Sequence, residues 1–297
     1  MIDRLCVIGV GLIGGSIAKA ARGLALCREI VGVDADGGNL AEALELGVID
    51  LGFDGGQPGE IAKAAQGADW VVVATPVGAL RRVFEELRPA WSARAVYTDV
   101  GSTKQSVVRA VGQVLGTVPA NFVPGHPIAG AERSGVAAAD AGLYRDKRVI
   151  LTPLPETDGA VLRQVEAFWA AIGAKVSLMT PAHHDEVFAA TSHLPHVLAY
   201  ALVHMLGRKD EQQEIFQYAG AGFRDFTRIA SSNPRMWKDI CLLNRRQILP
   251  LVEQLRLELG ELAALMDEGS AEPLLAYFTE ARDARQRFLA QSTPEPE

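Results

Sequence analysis

The sequence of 297 residues predicts a doubly wound α/β domain followed by an all-helical one. Three observations carry this. Short apolar, β-branched runs alternate with amphipathic segments over the first half. The alternation stops near residue 180. Beyond it, apolar residues recur at steps of three and four, the spacing of a helical stripe.

The elements follow in order. Residues 5–8, 30–33, 70–74 and 95–98 are strand candidates that are apolar throughout, as strands covered on both faces are. Residues 122–123 and 149–151 are shorter candidates, and 174–178 closes the series after a helix over about 159–172. Segments 17–26 and 77–87 supply crossover helices. After 180, Val187, Ala190, Leu194, Val197, Ala201 and Met205 form one helical stripe, and Pro195 inside it predicts a kink. Ile248, Val252, Leu255, Leu259, Leu262 and Met266 alternate steps of four and three, a heptad seam that asks for a helical partner. Pro250 obscures where that helix begins. The expected division is a dinucleotide-binding domain over 1–180, a helical domain over 181–290 and a disordered Pro/Glu-rich tail over 291–297.

Charge and cysteine usage exclude several classes. Lys and Arg total 29 against 36 Asp and Glu, a formal net charge of −7, which is wrong for a surface that tracks a nucleic-acid backbone. Any anionic ligand must therefore meet a local cluster of cations. Three scattered cysteines, without CxxC or zinc spacing, fit a reducing cytoplasm and predict no metal site. No run approaches the length of a membrane span, and Asp3 stands where a signal peptide would be basic.

Gly9-Val10-Gly11-Leu12-Ile13-Gly14 follows the first strand and opens a helix. Gly9 suits a tight turn, Gly11 lets the backbone approach a pyrophosphate, and Gly14 allows close helix–strand packing. The helix N-terminus offers N–H groups to phosphate. Asp34 ends the second strand 20 residues after Gly14, where a carboxylate accepts from the adenosine ribose and repels a 2′-phosphate. Together these predict a Rossmann-like site for NAD in preference to NADP. Thr75 and Pro76 end the third strand and read both as helix-start residues and as the nicotinamide-side wall. Ser102 follows the fourth strand and reads as a cap for a helix starting at Thr103 or as a site residue.

Gly125-His126-Pro127-Ile128-Ala129-Gly130 reads as a loop that displays a histidine. Ser192-His193-Leu194-Pro195-His196 puts two histidines on a helix. Arg224 and Arg228, four residues apart, read as one cationic helix face suited to a carboxylate.

With these motifs in place (GVGLIGGS, DVGSTK, GHPIAGAERSG, SHLPH and FRDFTRIASSNPRMW), the sequence resembles the prephenate/arogenate dehydrogenases over nearly its whole length. The resemblance implies NAD-dependent oxidative decarboxylation of prephenate to 4-hydroxyphenylpyruvate, or of arogenate to tyrosine. It implies His126 as general base or hydrogen-bond acceptor for the ring hydroxyl, with Ser102 orienting that hydroxyl. It implies Arg228 on a substrate carboxylate, His193 beside the pyruvyl side chain and Glu132 at the entrance, with Arg224 as a second anion contact or a surface charge. Trp237 also matches a family position, although a Trp at this spacing is more often core. It further implies a homodimer through the helical domain. Tyrosine, if it acts, would compete at the active site, since this chain carries no effector domain. Two rivals stand beside this reading: a β-hydroxyacid-type dehydrogenase, which would need a Lys-centred motif in the helical domain, and a non-catalytic NAD sensor.

Overall fold

The structure is a computed structural model and describes residues 1–130 and 133–292. It forms two compact units, Met1–Gln247 and Ile248–Glu297. In the first, strands β1 (Ile2–Ile8), β2 (Cys27–Asp34), β3 (Leu51–Asp54), β4 (Trp70–Val73), β5 (Val96–Asp99) and β6 (Phe122–Val123) form a six-stranded sheet in the order β3-β2-β1-β4-β5-β6. All five pairings are parallel. The order reverses between β1 and β4, so their carboxyl ends open the crevice where such sheets bind ligands.

Successive residues of each strand face opposite sides of the sheet, and each side has its own core. Leu5, Val7, Ile30, Trp70 and Val72 pack on one side. Cys6, Ile8, Val31, Val33, Val71 and Val73 pack on the other, with Phe84, Tyr97 and Trp237. Burial on both sides is why these runs carry no polar alternation.

The sequence reading differs from the structure at three places in this unit. β3 had no apolar signature: Leu51 and Gly52 are exposed, and the strand pairs with β2 alone. The presumed loop at His126 is strand β7 (Gly125–Pro127), antiparallel to β8 (Arg148–Leu151), which pairs in parallel with β9 (Lys175–Leu178). The last strands thus form a separate three-stranded sheet instead of extending the first.

Among the described residues no strand follows Leu178. The stripe read as one kinked helix is Pro181–Phe188, a π-helical turn Ala189–His193 and the helix Leu194–Leu206. Pro195 lies in the first turn of the last piece, and the wide turn just ahead of it absorbs the missing N–H donor. Helix Pro234–Leu243 packs Trp237 and Ile240 into the second core. Helix Arg245–Asp267 carries Pro250 inside it. Helix Ala271–Ser292 continues through residues 291 and 292, which the sequence assigned to a disordered tail; residues 293–297 lie outside the described residues. In the second unit Leu257, Leu259, Met266, Leu275, Phe278 and Phe288 are each half exposed or more. No described helix is long and apolar enough to cross a membrane.

Candidate functional site

A cleft of about 880 Å³ opens at the carboxyl ends of β1, β4 and β5, within the size range of small-molecule sites. Of the candidate residues named from the sequence, Gly9, Gly11, Leu12, Ile13, Asp34, Thr75, Pro76, Ser102 and Arg228 line it.

The nucleotide edge is a backbone construction. Gly9 has φ +96°, and a Cβ there would stand 2.6 Å from the Ala74 carbonyl oxygen, so only glycine fits the turn. A Cβ on Gly14 would meet the Gly9 carbonyl oxygen at 2.0 Å; this glycine joins helix Leu12–Gly23 to β1 and does not line the cleft. A Cβ on Gly11 would meet no protein atom within 4 Å, so its backbone faces open space at a helix N-terminus that no side chain caps. That is a cradle for a pyrophosphate.

Asp34 is held in place: its Oδ2 accepts from Val10 N–H at 3.0 Å and Asn39 Nδ2 at 2.9 Å, and its Oδ1 from Asp36 N–H at 2.9 Å. Oδ2 is filled, so Oδ1 carries the lone pair open to a ribose hydroxyl. Among the described residues, Arg82, Arg133 and Arg228 line the same cleft against one acid, Asp34, the local cationic cluster that an acidic chain needs for an anionic ligand. These features fit a dinucleotide.

The two structural alternatives for the loop residues fall away. Pro76, not Thr75, is the N-cap of the turn Val77–Ala79, and no side chain caps it. Thr103 is the N-cap of helix Lys104–Leu115, and that helix's first N–H groups are taken by Asp185: Lys104 N–H donates to Oδ1 at 2.7 Å and Gln105 N–H to Oδ2 at 3.0 Å. Ser102 is left as a cleft residue.

Beneath the cleft lies a buried polar cluster that the sequence did not reveal. Lys104 and Asp99 are both fully buried and 2.6 Å apart. Asp99 also accepts from Gly101 N–H at 2.7 Å and Gly125 N–H at 3.2 Å, and Lys104 Nζ donates to the Gly125 carbonyl. Burial disfavours both charges, raising the Asp99 carboxyl and lowering the Lys104 amine, while each partner's charge pulls the other way. The contact distance and the surrounding donors mark a paired carboxylate and ammonium. One ion pair thereby fixes the glycine before Ser102 and the glycine before His126.

His126 is half-buried, and its Nδ1 lies 2.8 Å from His184 Nε2. Phe188 stands at 5.0 Å between ring centroids. Burial, followed by the neighbouring His184, Lys104 and His193, holds His126 well below the ordinary histidine range, so it is unprotonated at working pH and has a nitrogen free to accept a proton. It is not among the cleft-lining residues; Ala129 and Gly130 of its segment are.

His193 and Arg224 do not line the cleft either. His193 is 1% exposed, and its Nδ1 accepts from Asn244 Nδ2 at 3.1 Å. Burial lowers its pKa to about 4. His196, three residues on, lines the cleft instead, stacked on Trp237 at 3.6 Å between centroids, with Nδ1 donating to the Ser192 carbonyl at 2.9 Å. Arg224 is exposed and donates to the Ala219 carbonyl at 3.1 Å. The shared face with Arg228 is broken, because helix Ala221–Thr227 ends there and a 3₁₀ turn, Arg228–Ser231, begins. Glu132 lies outside the described residues.

His184, Asp185 and Asn244 passed unnoticed in the sequence, though the adjacent His183-His184-Asp185 was a visible signal. Among the described residues no group of three or more His, Cys, Asp or Glu is arranged to hold a metal ion.

Residues 17–178 match the family model "Prephenate dehydrogenase, nucleotide-binding domain", and residues 180–280 match "Prephenate dehydrogenase, dimerization domain". The chain is 39% identical to a prephenate dehydrogenase of Bacillus subtilis, over 96% of this chain and 76% of that one. It is 36% identical to a cyclohexadienyl dehydrogenase of Zymomonas mobilis, over 96% of both. Among solved structures, prephenate dehydrogenase of A. aeolicus in complex with hydroxyphenyl propionate and NAD+ superposes with a TM-score of 0.88 and 36% identity, covering 97% of this chain and 99% of that one.

Proposed function

The chain belongs to the prephenate dehydrogenase family, and from that premise we propose that it oxidises and decarboxylates prephenate to 4-hydroxyphenylpyruvate with NAD, and arogenate, the amino analogue, to tyrosine. The observation that carries this reading is the Lys104–Asp99 pair, which ties the dinucleotide cleft at Gly101–Ser102 to the neutral histidine at Gly125–His126. A β-hydroxyacid dehydrogenase finds no support beside the family match.

NAD, when bound, supplies the hydride acceptor. Gly9, Gly11, Leu12, Ile13, Thr75 and Pro76 would hold it, with Asp34 on the adenosine ribose. His126 accepts the proton of the ring hydroxyl as its carbon is oxidised to a ketone. Ser102 hydrogen-bonds the same hydroxyl. The carboxylate then leaves as CO₂, and its bonding electrons enter the ring, which becomes aromatic. The ketone oxygen becomes a phenolate and takes the proton back from His126, so the overall reaction releases none. Arg228 pairs with a substrate carboxylate, for which a guanidinium is a two-pronged partner. His196, rather than the buried His193, faces the rest of the substrate, supported by its place on the cleft wall. We assign no contact to Arg224.

The helical part dimerises, supported by the half-exposed apolar residues of Ile248–Glu297 and by the matched dimerization domain. Three free cysteines suit the cytoplasm. Tyrosine, sharing the product's ring, would compete at this site. NADH absorbance on adding prephenate or arogenate to the protein with NAD tests the reading. Turnover with either supports it; tight NAD binding without turnover of either would leave a nucleotide sensor.

A further inference from the structure

His184 and Asp185 lie at the start of the helical half and are not among the cleft-lining residues, yet they form a chain of short contacts ending on His126. Asp185 Oδ1 lies 2.8 Å from His184 Nδ1, and a carboxylate can only accept there, so His184 Nδ1 carries the proton. A neutral His184 then has a bare Nε2, which accepts from His126 Nδ1–H across 2.8 Å. His126 is left with a bare Nε2.

From this geometry we infer that His184 and Asp185 are positioning residues that fix the tautomer of His126 and hold the substrate proton while the ring is a ketone. The inference rests on the reading of His126 as the base. When the hydroxyl O–H bond breaks, its proton bonds to His126 Nε2. The His126 Nδ1–H bond can then break in turn, its proton bonding to His184 Nε2. His126 ends neutral and His184 ends as an imidazolium against Asp185. Return of the proton to the phenolate runs the same bonds backwards.

The surrounding charges suit a transient cation here. His184 is fully buried, and the charged groups about it are Asp99, Asp185 and Lys104, with His126 and His193 as the other titratable neighbours. With the three histidines neutral, two acids against one ammonium leave the cluster one negative charge. Taking up the proton brings it to zero, which offsets the desolvation that otherwise keeps these imidazoles neutral. Asp185 also caps the helix that follows Ser102, through Lys104 N–H and Gln105 N–H. The same carboxylate thus anchors both the relay and the helix beside the other candidate hydroxyl partner.

The test is ¹⁵N NMR of the full chain labelled at its six histidines, with His126 and His184 assigned from His126→Asn and His184→Gln. Near pH 7.5 both rings should carry their proton on Nδ1 and be bare at Nε2. A proton on His126 Nε2 would overturn the relay, whereas the reading of His126 as the base is tested separately by the kcat of His126→Asn. Kinetics supply the second arm. His184→Gln keeps an acceptor for the His126 proton but cannot take it up, whereas His184→Met removes both functions. The expected kcat losses are about tenfold or more for Gln and larger for Met, with KM within about twofold. An unchanged kcat in His184→Gln, or equal losses of kcat and KM in both variants, would overturn the proton-holding role. If either His184 variant fails to fold, His184 is assigned in the wild type by through-bond correlation to its own backbone, and the tautomers still decide.

Discussion

The nucleotide edge, at the ends of β1 and β2, and the cluster around His126, between β5 and β7, are built on opposite principles. The nucleotide edge is backbone: a strained glycine turn, an uncapped helix end and a carboxylate steadied by N–H groups, all between Gly9 and Asn39. The base cluster is side chain: ion pairs and imidazoles joined across 81 residues from Lys104 to Asp185 and 58 from His126 to His184. Backbone donors near solvent keep much of their hydration when a partner is lost. A buried charge does not, and removing its partner leaves it stranded. The cluster therefore carries more of the free energy at risk, and the edge is where the proposed cofactor selectivity would lie.

Breaking the ion pair should have the largest effect. Lys104→Met leaves Asp99 buried without its counter-charge and should lower unfolding stability by about 3–5 kcal/mol in denaturant titrations. A loss under about 1 kcal/mol would place the pair at an ordinary surface value and erase the contrast.

Arg228→Ala comes next, with a cost of about 2–4 kcal/mol in kcat/KM. KM should rise by more than kcat falls, because the carboxylate contact is already made in the ground state. An unchanged KM would assign Arg228 a structural role.

Acid sensitivity should be somewhat smaller. His193 is buried neutral with a pKa of about 4, below the ordinary 6.5. The unfolded chain binds a proton there that the folded one refuses, so stability is complete above about pH 6.5 and is lost as pH falls towards 4, by about 3 kcal/mol. Thermal melts of wild type and His193→Gln across that range check it. Equal slopes would mean that His193 contributes nothing to the acid limb.

The smallest effect belongs to the nucleotide edge. Asp34→Ser should narrow the preference for NAD over NADP by about tenfold, or 1.4 kcal/mol. Equal use of both cofactors by the wild type would contradict the role of Asp34.

The same contrast explains what could be read from the sequence. Gly9, Gly11, Gly14 and Asp34 lie in one βαβ unit, where spacing along the chain nearly dictates spacing in space. The apolar strands were legible because both their faces are buried; β3 was not, because it is half exposed at a sheet edge. His184 and Asp185 gave no periodic signal, since their meaning depends on a helix 80 residues away. His193 and His196 looked interchangeable in SHLPH. The π turn Ala189–His193 and stacking on Trp237 decide which one reaches the cleft, and neither follows from local spacing.

In the proposed mechanism His126 is the base of a prephenate-oxidising site whose cofactor edge works independently of it. Steady-state NADH formation from prephenate, measured for wild type and His126→Asn alongside NAD affinity by titration, tests this most directly. In His126→Asn kcat should fall by about 10²–10⁴ while NAD binding and KM for prephenate stay within about twofold. Near-normal turnover in His126→Asn would place the base elsewhere, and loss of NAD binding with it would show that the two parts of the site are coupled.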